Sequence, residues 1–228
     1  MAITYRPQGL AVLTLESIPT LFLHPNTKEI STAFSGKTFM CRFPSGQIYF
    51  ESKLSVDTDG SPYWREDGTP AKPFGQPDTS THNPDGSALD ADLINYFVLP
   101  GGFWGKEGIK KGDIGVVIFG IRKVYACFGD VGPSGSLGEG SIALHRELGH
   151  ETIRGRHNAD GGHLINGTHG GNGIASGVIT IVFPKSGNGF GRSNQEIARL
   201  GEPLFRKLIK EAESIGDFPN RAPGRNIG

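Results

Sequence analysis

The apolar positions of this chain fall in short, separate runs. Residues 38–43 and 47–51 flank Pro44-Ser45-Gly46, which predicts a β-hairpin. Residues 115–119 and 123–128 are two β-rich runs around Gly120-Ile121-Arg122, a second hairpin. Residues 95–99 read as a strand that stops at Pro100-Gly101-Gly102. Residues 178–183 form the most β-branched run and read as a central strand. Two stretches have helical spacing. Residues 142–148 predict a short helix with Ser141 as N-cap and Gly149 past its end. Ser193-Asn194-Gln195-Glu196 is a capping box. The helix after it restarts at Pro203, with Leu204, Leu208, Ile209, Ala212 and Ile215 on one face. Residues 1–36 are turn-rich, with apolar runs at 10–15 and 20–23. Residues 57–92 and 149–177 read as irregular loops, and loops of such length are functional or mobile.

Strands that cluster, with few helices between them, predict a mainly β fold. A small closed six-stranded β-barrel with long loops, a short helix and a C-terminal helix fits better than a βαβ sheet. The 228 residues carry no long polar linker, so one domain over residues 1–228 is expected, with a helical extension at about 193–216. The 35 glycines and 15 prolines support many turns. Zero net charge argues against a partner held by phosphate neutralisation, so no nucleic acid is expected. Charge is uneven along the chain. Residues 51–92 hold nine Asp/Glu against three Lys/Arg, a surface suited to a cationic partner or simply a solvated face. No run reaches about 18 apolar residues, so no membrane span is expected. Cys41 and Cys127 fit no metal or redox spacing and lie in apolar runs; buried thiols and a single disulfide both remain open.

Residues 112–149 concentrate the chemistry. Asp130 and Glu139 stand nine positions apart in a Gly/Pro-rich stretch between a strand pair and a short helix. Two rigidly held carboxylates are what acid–base hydrolysis needs. Asp130, after an apolar strand, is expected to be desolvated and raised in pKa. Glu139, ahead of a helix N-terminus, is expected to be lowered. That leans to Asp130 as acid and Glu139 as base. Turn capping by Asp130 and helix capping by Glu139 would explain the same pattern without catalysis.

The phrases Phe128-Gly129-Asp130-Val131-Gly132-Pro133 and Leu137-Gly138-Glu139-Gly140-Ser141, then Leu148-Gly149, resemble the core signature of glycoside hydrolase family 75, the fungal-type chitosanases. Asp57-Thr58-Asp59-Gly60 with Trp64, Ala88-Leu89-Asp90-Ala91, Val98-Leu99-Pro100, Gly112-Asp113 and the strand 177–183 resemble further phrases of that family in the same order, over about residues 38–187. The resemblance implies an enzyme, an endo-acting chitosanase that cuts β-1,4 links between glucosamine residues with inversion, with Asp130 and Glu139 as its essential carboxylates. It also implies a double-psi-like barrel, a secreted protein working as a monomer without cofactor or metal, and chitosan or a related cationic amino-polysaccharide as partner. The start shows no basic n-region followed by a continuous apolar core, so either a cytosolic protein or a secreted one whose signal has been removed is expected. The other reading of the same barrel is a non-catalytic polysaccharide-binding module.

Further candidates are weaker. Asp57, Asp59, Asp113, Asp90 and Asp92 would line a groove for ammonium groups, although turn formation explains each as well. Trp64, Trp104 and Tyr125 would stack on sugar faces, although aromatics are more often core. His150, His157, His163 and His169 with Asp160 suggest a metal only loosely, because Arg154 breaks the HExxH spacing and a plain loop explains them better. Asn166-Gly167-Thr168 is a glycosylation sequon, relevant only to a secreted eukaryotic product. No GxSxG, phosphate-binding loop or dinucleotide fingerprint is complete.

Overall fold

The computed structural model describes residues 18–61, 76–150, 152–157, 163–165 and 173–216. In chain order the elements are α1 (Ile18–Leu23), β1 (Lys28–Glu29), β2 (Lys37–Arg42), β3 (Ile48–Asp57), β4 (Tyr96–Pro100), β5 (Ile114–Phe119), β6 (Arg122–Gly132), β7 (Glu139–Ser141), α2 (Ile142–Glu147), β8 (Ile153–His157), β9 (His163–Ile165), β10 (Ile174–Val182) and α3 (Asn194–Gly216). Local turn chemistry produces the hairpins. Gly46 takes φ 99° between β2 and β3, and Gly120 takes φ 57° between β5 and β6, where Phe119 pairs with Arg122. Side chains with a β-carbon rarely adopt these angles.

Six strands close into a mixed barrel in the order β3-β10-β5-β6-β4-β7, with β7 pairing back onto β3. β1 and β2 extend the wall outward from β3. The β4–β6 and β3–β7 pairs are parallel; the other pairs within the barrel are antiparallel. β10 lies between β3 and β5, the central place that its β-branched run predicts. The fold is therefore mainly β, as the sequence pattern predicts.

Alternation along the strands sorts the core. Phe50, Leu54, Phe97, Leu99, Val117, Ala126, Phe128 and Val182 fill the barrel. Each buried Phe adds roughly 2–3 kcal/mol of apolar transfer. On the outer wall, α1 and α3 cover Phe39, Tyr49, Val116, Ile118 and Ile181. Both helix caps form as predicted. Ser141 Oγ accepts from Leu144 N at 3.2 Å, and Ser193 Oγ accepts from Glu196 N at 3.3 Å while Glu196 returns the bond to Ser193 N.

Two expectations are corrected. α3 does not restart at Pro203 but runs through it unbroken. Packing overrides the missing N–H: α3 lies so close to the wall that a β-carbon on Gly201 would stand 2.5 Å from the Tyr125 ring. The segment 149–177 is not wholly irregular, because β8 and β9 pair antiparallel with His157 opposite His163 and β10 begins at Ile174. Cys41 and Cys127 are both buried and unbonded, which decides between the two cysteine readings. Among the described residues no helix is long and apolar enough to cross a membrane.

Candidate active site

Asp57 ends β3, and Asp59 follows it in a turn. Asp130 lies near the end of β6, and Glu139 opens β7. The ladder explains how the last two meet. Val98 on β4 pairs with Asp130 on one side and Glu139 on the other. Residues in register across neighbouring strands project from the same face. On β4, Phe97 and Leu99 point inward, so Val98 and its two partners face the outer wall. Two strand intervals place the backbones of Asp130 and Glu139 about 9.5 Å apart.

A bulge makes this possible. Phe97 pairs with Phe128 but Val98 pairs with Asp130, so Gly129 is an extra residue in β6. Phe128 faces the interior, and the bulge re-aims the next side chain outward. A β-carbon on Gly129 would sit 2.4 Å from Tyr96 Cβ, so only glycine fits. Gly132 does a similar service for the second acid: its own β-carbon would stand 3.3 Å from Glu139 Oε2.

Backbone donors orient the acids. Asp130 Oδ1 accepts from Ser80 N at 2.7 Å and from Val131 N at 2.8 Å. Asp57 Oδ1 accepts from Asp59 N at 2.9 Å, and Asp59 Oδ1 from Gln76 N at 2.6 Å. Tyr96 Oη donates to the Asp59 carbonyl at 3.0 Å. Carboxylate oxygens of Asp57, Asp59 and Asp130 lie within 4.8 Å of one another, close enough for one cation to bridge them. Asp57 and Asp130 are each only 6% exposed.

Burial first, and crowding after it, favour the protonated forms of Asp57, Asp59 and Glu139. Burial pushes Asp57 well above the ordinary carboxylate range, with Asp59 and Glu139 adding repulsion. Asp59 rises to about 7, chiefly by burial; the Gln76 N–H opposes the rise, and Asp130 adds to it both by charge and by a side-chain hydrogen bond. Glu139 is also raised, first by burial, with Lys53 opposing and Asp130 reinforcing. The expectation that a helix N-terminus lowers Glu139 is thus corrected. Ser141, not Glu139, caps α2, and the β3–β7 wall sets the environment of Glu139.

The structure gathers Asp57, Asp59, Asp130 and Glu139 and leaves other candidates elsewhere. Asp113 is fully buried, and its carboxylate accepts from Lys110 N, Lys185 N and Gly187 N at 2.7–2.8 Å. It ties together the loops that carry Lys110, Lys185 and Gly187. Tyr125 sits under α3, donating to Glu202 at 2.5 Å and meeting Phe205 edge-on. Trp104 packs against Phe128 in the core, with ring centroids 5.7 Å apart. Asp90 accepts from Asp92 N in a turn, and buried Asp92 accepts from Ser61 Oγ. Trp64, Asp160, His169, the sequon and the apolar run at 10–15 lie outside the described residues, as do the side chains of His157 and His163. His150 stacks at a tilt on buried His145, 6.0 Å between centroids.

Sequence reasoning missed Ser80, Lys53 and Tyr96. Ser80 stands 50 positions from the acid that it orients, and no local pattern marks it. Lys53 left a faint signal as a lone cation in a strand that is otherwise mostly apolar or acidic. The chain matches no described protein family, and no curated protein is significantly similar to it.

Proposed function

We propose that this chain is a chitosanase, which hydrolyses β-1,4 links between glucosamine residues by an inverting two-carboxylate mechanism. The observation that carries the reading is the register of Asp130 and Glu139 about Val98. Carboxylates projecting from strands two apart suit the ~6.5–9.5 Å of an inverting pair better than the ~5–5.5 Å of a retaining pair. Asp57 and Asp59 beside them offer oxygens to the ammonium groups of the substrate.

The raised Glu139 is the better acid, which reverses the sequence-based assignment of roles. Protonated Glu139 gives its proton to the leaving glycosidic oxygen. Asp130, fixed by two N–H donors, takes a proton from the water that attacks the anomeric carbon from the opposite face. The C–O bond breaks as the new one forms, and the anomeric configuration inverts. No cofactor enters this scheme. The protein acts outside the cell as a monomer.

Asp130→Asn and Glu139→Gln should each abolish the release of new reducing ends from soluble chitosan while circular dichroism stays unchanged. Near-normal activity in either variant removes the mechanism. Saturable chitosan binding by the unaltered protein without new reducing ends would make it a binding module.

A further inference from the structure

A second charged feature lies away from the acids. Four cations from four distant segments, Arg42, Lys106, Lys185 and Lys207, line one cleft of about 560 Å³. Its turn, Ser45 to Gln47, sits at the start of β3, whereas Asp57 sits at the end. Nine residues of strand, about 30 Å, separate the two. The volume is that of a small-molecule site.

The cations are not used up internally. Glu107 is the one acid lining the cleft, and it is spent on Arg42, whose Nη2 approaches Glu107 Oε2 at 2.5 Å. Arg42 Nη1 donates to the Gly46 carbonyl, so the guanidinium is a fixed wall. Glu211 reaches the rim only through Ser45 Oγ. Among the described residues, the ammonium groups of Lys106, Lys185 and Lys207 make no ion pair. The lining thus carries a net charge of +3, from four cations and one anion, in a chain of zero net charge.

Lys185 adds an independent observation. It is the one non-glycine among the described residues with positive φ, at 66°. That conformation crowds the β-carbon against the following carbonyl oxygen and is unfavourable for any residue but glycine. Buried Asp113 enforces it by accepting from both Lys185 N and Gly187 N. Glycine would relieve the strain, yet a lysine is held there, at the cleft wall. Strain maintained by the surrounding structure marks functional positions.

We propose that this cleft is a binding site for a phosphate-class polyanion. Three ammonium groups with no ion pair among the described residues act as point charges with rotatable donors, which suits the tetrahedral oxygens of a phosphoryl group better than a planar carboxylate. Gly46 and Gly108, each with nothing within 4 Å of a would-be β-carbon, leave the approach open.

Calorimetric titration of the full chain with pyrophosphate at low salt tests this. Saturable one-to-one binding is expected, confined in NMR to residues 42–47, 106–108, 184–186 and the Lys207 turn. Lys106→Ala with Lys207→Ala should weaken it by about tenfold or more, as should Lys185→Gly, which fits φ 66° and keeps the fold. Arg199→Ala, eight residues up the same helix and about 12 Å away, removes one positive charge, as Lys185→Gly does, and should leave binding unchanged. No saturable binding, or an equal loss in Arg199→Ala, overturns the proposal.

Discussion

Replacing Asp59 by Asn separates the electrostatic strain of the acid cluster from its chemistry. Asn keeps the shape of the side chain and an oxygen for the Gln76 N–H. What it removes is a proton equilibrium. The folded chain holds the Asp59 proton up to about pH 7, whereas the unfolded chain releases it near pH 3.8. Between those values folding takes up a proton, so stability falls as pH rises, by at most about 1.4 kcal/mol per pH unit for one site. The contribution is complete below about pH 4 and lost by about pH 7, opposite to the usual salt-bridged carboxylate. A rise from 3.8 to about 7 corresponds to at most about 4 kcal/mol. Solvent reaches this half-buried side chain, and screening reduces the expected effect to about 1–2 kcal/mol. Urea denaturation at pH 4, 6 and 8 reads it directly. Wild type and Asp59→Asn should be equally stable at pH 4, and the variant more stable by that amount at pH 8. A residual decline with pH should persist in the variant, because Asp57 and Glu139 are raised in the same direction. Parallel stability curves for the two proteins, or a variant that weakens relative to wild type as pH rises, would refute the reasoning.

Three further outcomes follow from the packing. Asp113→Ala strips acceptors from three backbone N–H groups and should cost about 2–4 kcal/mol in denaturant melts. Turnover per folded molecule should not change; a selective loss of turnover would place Asp113 at the substrate. Gly129→Ala drives a β-carbon into Tyr96 and should destabilise by about 1–3 kcal/mol, with activity falling further than stability because the bulge aims Asp130. Cys41 and Cys127 should resist thiol reagents in the native protein at pH 8 and react fully in urea, since burial raises both thiols, Cys127 to about 12. Rapid native labelling of either would contradict that packing.

What the sequence discloses is what local chemistry decides. The turn at Pro44-Ser45-Gly46, the Ser141 and Ser193 caps and the stop after Pro100 each depend on a few adjacent residues, and each appears where its residues predict. Barrel closure depends on pairings between distant strands. Nothing near Glu139 announces that β7 will lie parallel to β3, about 85 positions away. The protonation of Glu139 failed for the same reason. Reasoning along the chain saw the following helix, whereas burial of Glu139 at the β3–β7 seam, reinforced by Asp130, raises it despite the opposing charge of Lys53. Pro203 is the mirror case, a local breaker overruled by the fit of α3 against Tyr125 and Ile114.

The shortest barrel strand explains why the acids can crowd together without springing apart. β7 has three residues, and each one closes a different contact. Glu139 joins the acid cluster. Gly140 passes where a β-carbon would stand 2.9 Å from Leu144 and 3.0 Å from the Tyr96 carbonyl, so the strand lies tight against β4 and α2. Ser141 Oγ accepts from both Leu144 N and Tyr96 N, locking the helix and β4 to one atom. Its carbonyl meets the ring of buried His145, whose other nitrogen meets the Leu54 carbonyl of β3 at 3.0 Å. The repulsion among Asp57, Asp59, Asp130 and Glu139 therefore acts on a seam held from both sides by β3 and β4 and from behind by α2. A flexible loop bearing the same acids would relax away from the charge and into water; this seam keeps Asp57, Asp59 and Glu139 buried and close, and burial first, then repulsion, raises them. A carboxyl raised by burial needs such a backing, and β7 supplies it within two residues of Glu139.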